Sequence, residues 1–321
     1  MKGAFACALA LLAALASGAA PAQAPLPAKP VRLVVGAPPG GANDTAARLV
    51  AQHLDLGQPV IVENRNGASQ MIAADFVARS PADGSVLFLT SHTGIAIAPV
   101  LQKVKTFDPI KSFTAVGLIG TAPLVLVAGP SLPANTVEEL IAYAKANPGQ
   151  VNFGNGGVGT SPHMTGVLFA RSSGIQLTSV PYPGEQAAML DIMAGRIQMM
   201  FANASSALPH VRSGKLRGLG VTSDARAAVA PDLPTVAEAG VPGFSAATWL
   251  GIVAPAATPP ATIARLNEEL NRVLALPEVR EKLSGHGFSV TRTSPEAFGK
   301  LMLDEHGKWG TLIRDANIKS D

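Results

Sequence analysis

The chain predicts an α/β fold in two domains, each a mainly parallel sheet flanked by helices. Three observations predict it. Short β-like runs alternate with amphipathic segments almost throughout the 321 residues, an order that favours parallel strands covered on both faces. The length suits two hydrophobic cores. Two apolar runs, around 118–127 and at 249–254, fall where the chain would leave an outer domain and return to it. A middle domain joined to an outer one by two crossings is the hinge architecture of ligand-trapping proteins.

The N-terminal 24 residues stand apart from this pattern. Lys2 precedes an apolar run from Ala4 to Ala16, followed by small residues and Pro21. That is the layout of a cleaved secretory signal peptide, and the run is too short to span a bilayer. Cleavage after Ala22 or after Ala24 fits the small-x-small rule. The single cysteine, Cys7, leaves with it, so the mature chain has no thiol nucleophile, disulfide or cysteine metal ligand.

Residues 31–35 read as the first strand, 43–54 as a helix, 60–62 as a strand, 69–79 as a helix and 86–89 as a strand. Gly120-Thr121-Ala122-Pro123 marks the first crossing. The second unit reads helix 136–147, strand 151–153, helix 162–172, strand 177–180, helix 186–194 and strand 197–201. Residues 249–254 form the return crossing, and helices follow at 260–274, 277–284 and 295–316.

Composition excludes several functions. The formal charge of +3 falls to +2 once Lys2 is removed, the cations are scattered, and aromatics are 5%. Nucleic acid is therefore not a partner. The six histidines (53, 92, 163, 210, 286 and 306) show no zinc spacing, and no G-x-S-x-G elbow occurs. No catalytic residue, metal or cofactor is called for.

The chemistry lies in strand-to-helix turns. Residues 153–163, F-G-N-G-G-V-G-T-S-P-H, run from a strand into a helix start, with Thr160 or Ser161 as N-cap and Pro162 at the first helical position. Such a start aims backbone N–H groups and a partial positive charge at an anion. It formally matches the dinucleotide fingerprint. That fingerprint needs an acid about 20 residues on, and none occurs between Asn155 and Gly184; Glu185 is the first. A small carboxylate suits the turn better than a nucleotide, a purely structural tight turn being the third reading.

Pro38-Pro39-Gly40-Gly41-Ala42-Asn43-Asp44 follows the first strand. Gly40 and Gly41 permit close backbone approach, while Asp44 is open between helix capping and ligand contact. Glu63 and Arg65 suggest a local ion pair. Ser69 and Gln70, then Ser91 and His92, can present polar tips after the second and third strands. His163 is more readily a structural capping histidine than a base.

P-P-G-G-A-N-D (38–44), E-N-R-N-G-A (63–68), A-D-G (82–84), the 153–163 turn, V-P-Y-P-G (180–184), G-K-L-R-G-L-G-V-T-S (214–223), L-P-T-V-A-E-A-G-V-P-G-F (233–244), W-L-G-I-V-A-P (249–255), R-L-N-E-E-L (265–270) and K-W (308–309) occur in order. This ordered set, spanning the mature chain, resembles the Bug family of periplasmic solute receptors, the extracytoplasmic component of tripartite tricarboxylate transporters. The resemblance implies a type II periplasmic binding protein with a ligand cleft between two lobes: residues 25–122 and 250–321 in lobe one, 123–249 in lobe two. It further implies a soluble monomer that binds a small organic carboxylate and serves a two-subunit inner-membrane permease.

The ligand-binding candidates are Pro39, Gly40, Gly41, Asp44, Ser69, Gln70, Ser91, His92, Gly159, Thr160, Ser161, His163, Tyr182 and Asn203. Two departures from the family pattern stand out. Ser69-Gln70 replaces a frequent glycine pair, making that wall bulkier and more polar. Ala202-Asn203 follows Phe201 where an Asp is common, which removes a counter-ion for a ligand ammonium. Rival readings are an exported hydrolase or lyase, a nucleotide-binding oxidoreductase, and a sensing receptor without a transporter.

Overall fold

The computed structural model describes residues 28–319; the signal segment 1–24 lies outside them. The chain begins with β1 (Val31–Val35), α1 (Ala42–His53), β2 (Val60–Asn64), α2 (Met71–Ala78) and β3 (Val86–Ser91). β1 pairs in parallel with both β2 and β3. A π turn at Thr93–Ile97 runs into α3 (Ala98–Leu101), and β4 (Phe113–Ala122) follows.

After Pro123 the chain enters a different sheet through β5 (Leu124–Ala128). Proline has no N–H to donate, so it ends one ladder where the next begins. The second unit continues with α4 (Val137–Ala146), β6 (Val151–Asn155), α5 (Ser161–Ser173), β7 (Leu177–Pro181), α6 (Glu185–Met193), β8 (Met199–Asn203), α7 (Ala204–Arg212) and β9 (Arg217–Val221). The chain returns through β10 (Thr248–Pro255) and ends with α8 (Pro260–Ala275), α9 (Pro277–Gly285), β11 (Ser289–Val290) and α10 (Pro295–Asp315).

The first sheet has the order β11-β4-β10-β3-β1-β2 and the second β7-β6-β8-β5-β9. Both are mixed rather than mainly parallel. β10 runs antiparallel to β3 and β4, and β5 antiparallel to β8 and β9. The physical reason is the crossing itself. A strand that leaves one sheet for the other, or comes back, enters from the end opposite to a strand fed by a β-α-β connection.

Local signals account for most helix bounds. Thr136 caps α4 by accepting from the Glu139 N–H, with Glu138 and Glu139 in the first turn. Thr160 caps α5, Pro162 lies in its first turn, and Gly174 closes it in the left-handed region at φ 64°. Strand β9 escapes the sequence pattern because Gly218 and Gly220 stand where side chains would mark it. A Cβ at Gly218 would sit 3.0 Å from Leu233, and one at Gly220 would sit 3.1 Å from the Pro234 carbonyl, so the covering loop packs tightly against both.

The C-terminal helix adds a connection the two-crossing pattern does not include. Phe298 and Met302 pack into the core under the first sheet, while Trp309, Leu312 and Ile313 pack with Leu124, Phe153 and Phe169 of the second unit. An Arg171–Asp315 ion pair of 2.7 Å tethers the same end. Helix α10 therefore straddles both sheets.

Candidate functional site

In each sheet the parallel strands end on one edge. Open α/β sheets place ligands at such carboxyl ends. A cavity of about 550 Å³ lies there. The first sheet contributes the loop after β1 (Gly36, Ala37, Pro38, Ala42 and Asn43), the turn after β2 (Ser69 and Gln70), Ser91 to Thr93 after β3, and Thr248 to Leu250. The second contributes Ser161 at the start of α5, Glu185 and Gln186 at the start of α6, and Asn203 to Ser206 at the start of α7. His286, Gly287 and Phe288 complete the wall.

The turn after β2 is strained. Ala68, Ser69 and Gln70 all adopt positive φ, at 45°, 51° and 80°. Three consecutive non-glycine residues in this region cost about 1–3 kcal/mol each. Surrounding bonds hold them: the Gln70 N–H donates to the Gly67 carbonyl at 3.0 Å, and Gln70 Nε2 to Ser91 Oγ at 2.5 Å. Gln102 Nε2 donates to the Ala68 carbonyl at 3.2 Å. Glycines would adopt this backbone without strain. Ser69 and Gln70 instead place two polar side chains on the cavity wall.

His92 joins the two lobes. Its ring is buried, rests edge-on against Trp309 at 5.1 Å, and Nδ1 lies 3.1 Å from Ser161 Oγ. Burial, helped by the Lys308 charge, lowers its pKa to about 3, so the ring is neutral near pH 7. Gln70 Oε1, His92 Nε2 and Trp249 Nε1 are buried with no hydrogen-bond partner within the protein. Native interiors satisfy nearly all such atoms, through bound water or ligand where protein is lacking.

No Lys or Arg is among the described residues lining the cavity, and Glu185 is the one ionisable acid. Glu185 reaches across to the start of α7, accepting from the Asn203 N–H at 3.0 Å, from Asn203 Nδ2 at 2.5 Å and from Ser206 Oγ. Burial raises its pKa against the opposing effect of these bonds.

A profile described as the tripartite tricarboxylate transporter family receptor matches residues 46–318. The chain belongs to this family. BugT of Bordetella pertussis is 35% identical over 310 residues, covering 95% of each chain. An adipate-bound protein of R. palustris is 32% identical, with a TM-score of 0.75 over 91% of this chain and 99% of its own. The periplasmic binding protein BugD is 31% identical, with a TM-score of 0.72 over 92% of this chain and 100% of its own. Among the described residues of the receptor, no helix is long and apolar enough to cross a membrane.

Of the residues proposed from sequence, Ser69, Gln70, Ser91, His92, Ser161 and Asn203 lie on the receptor's cavity wall. The others do not, each for a visible reason. Asp44 is buried and accepts from the Gly40 N–H at 2.9 Å, Arg48 Nε at 2.9 Å and Asn64 Nδ2 at 2.8 Å. Burial would raise its pKa, but these bonds outweigh that and lower it. Asp44 thus pins the Pro39–Gly41 turn, and the flanking residues 36–38 and 42–43 face the cavity instead.

Gly159, at φ +77°, would put a Cβ 2.5 Å from Leu101, so its missing side chain serves contact between lobes. Thr160 Oγ1 is engaged with the Gly157 carbonyl at 2.7 Å and caps α5. His163 Nδ1 accepts from the Gly159 N–H at 3.3 Å, and burial lowers its pKa. The Tyr182 hydroxyl donates to Asp191 at 2.8 Å, away from the cavity.

The sequence reading missed Glu185, Gln186, Ser205, Ser206, Trp249 and His286–Phe288. P-G-E-Q and N-A-S-S do carry strand-to-helix signals. His286–Phe288 carries none, because the β11–β4 pairing brings it in.

Proposed function

We propose that the protein is an extracytoplasmic solute receptor that holds a small carboxylate between its lobes and delivers it to a two-subunit membrane permease. The supporting observation is the cavity at the facing strand ends. It offers hydroxyls, side-chain amides and helix starts but no cation. A carboxylate bound there is held by neutral donors and helix dipoles rather than by an arginine clamp. The adipate bound to the R. palustris relative is of this class.

Residues 25–122 and 250–321 act as one lobe and 123–249 as the other, with closure at the crossings near 120–124 and 249–254. Closure shifts by the ligand's differential affinity for the closed form. The straddling helix α10 limits its amplitude. The receptor works in the periplasm as a monomer, after removal of residues 1–24, and turns over no substrate.

A thermal-shift panel of mono-, di- and tricarboxylates, amino acids, aromatic acids and NAD on ligand-stripped protein tests this reading. A ligand at about 100 times its dissociation constant stabilises the native state by about 2.7 kcal/mol. The reading expects a shift confined to one class of acid. A shift with NAD alone, or none with any acid, overturns it.

A further inference from the structure

Glu185 sets the cavity's polarity. The second unit presents the starts of α5, α6 and α7 to the cavity; Glu185 sits in the first turn of α6, and its carboxylate reaches the N-cap residue of α7. At α5, the Gly159 and His163 N–H groups are taken by His163 Nδ1 and Thr160 Oγ1. At α7, the Glu185 carboxylate takes the Asn203 N–H, the Asn203 amide and the Ser206 hydroxyl. The dipoles at α6 and α7 are therefore already matched by an anion, whereas no acid stands in the first turn of α5. A carboxylate has about four acceptor sites, and three are filled, so one remains for a ligand. The opposite wall, with Asn43, Ser69, Ser91 and neutral His92, carries no charge.

Resting on the receptor reading, we infer that Glu185 selects an acid whose far end carries a hydrogen-bond donor, best an ammonium, and disfavours a second carboxylate. The ligand's own carboxylate then lies against the uncharged wall of the first lobe, and its donor end meets the free acceptor of Glu185. Glu185 thereby supplies the counter-ion that the sequence lacks after Phe201. Two carboxylates brought together in a partly desolvated cavity repel strongly enough to cost about tenfold or more in affinity.

Calorimetric titration with chain-matched acids tests this: 6-aminohexanoate, 6-hydroxyhexanoate and adipate, and the corresponding four-carbon set. In the wild type the amino acid of a set is expected to bind at least about tenfold more tightly than the diacid, with the hydroxy acid between. Glu185→Gln is expected to bring the two within about threefold, mainly by tightening the diacid. A diacid that binds the wild type as well as its amino counterpart overturns the inference and leaves the receptor reading standing. Equal weakening of every acid in Glu185→Gln overturns it too, since that is the mark of a helix cap alone. No binding by any acid overturns both. The wild-type comparison decides the matter even if the variant fails to fold.

Discussion

His92 makes a quantitative prediction about acid stability. In the folded chain its pKa is lowered from 6.5 to about 3, with burial the main cause and the Lys308 charge the second. Below pH 6.5 the unfolded chain takes up a proton on this ring that the folded chain refuses until about pH 3. Stability therefore falls as pH falls across that window, by up to about 1.4 kcal/mol per pH unit. From about pH 6 to about pH 4 the loss from this ring alone is about 2–3 kcal/mol.

Asp83 acts in a lower window. Burial opposes it, but hydrogen bonds from Ser85 and Lys29 bring its pKa to about 2, so its contribution is lost only below its ordinary value of 3.8. Glu185, with a raised pKa, has the opposite sign and loses stability as pH rises from 4.5. Both effects cancel when wild type is compared with His92→Asn, which keeps a group able to meet Ser161 Oγ but does not titrate. Urea denaturation at about pH 6, 5 and 4 should show the variant losing about 2–3 kcal/mol less than the wild type. Parallel losses in both proteins would refute the buried, neutral ring.

Other perturbations separate structure from binding. Asp44→Ala removes the acceptor for Gly40, Arg48 and Asn64 and should cost about 2–4 kcal/mol in chemical denaturation; an unchanged midpoint would reject its role as the pin of the first loop. Gly251→Ala on β10 places a Cβ 2.1 Å from the Phe298 ring. The buried strand has no room to yield, so about 1–3 kcal/mol of destabilisation is expected, read as a lowered melting temperature; a wild-type value would refute close packing of α10 on β10.

The fold was legible where local chemistry decides it. Residues 31–35 form a strand with the expected bounds, and the Thr160 cap with Pro162 opens a helix where the sequence signals one. Strand direction was not legible, because antiparallel insertion of β5 and β10 follows from how the lobes connect rather than from any residue in them. Glycine hid β9, and the internal Pro209 obscured α7. The site was half legible for a similar reason. Polar tips after strands, such as Ser91 and Ser161, reach the cavity, whereas Asp44, Thr160 and Tyr182 find partners inside their own lobe. Glu185 was visible as the first acid after the glycine turn, but its reach to α7 is a tertiary fact.

The most direct test of the cavity as the binding site is a calorimetric titration of Ser205→Trp with the acid that stabilises the wild type most. Ser205 is an exposed residue of the cavity wall at the second position of α7, so an indole there fills the space without entering the core. The account predicts an unchanged melting temperature without ligand and loss of binding by about tenfold or more. Wild-type affinity in a folded Ser205→Trp protein would mean that the carboxylate binds elsewhere.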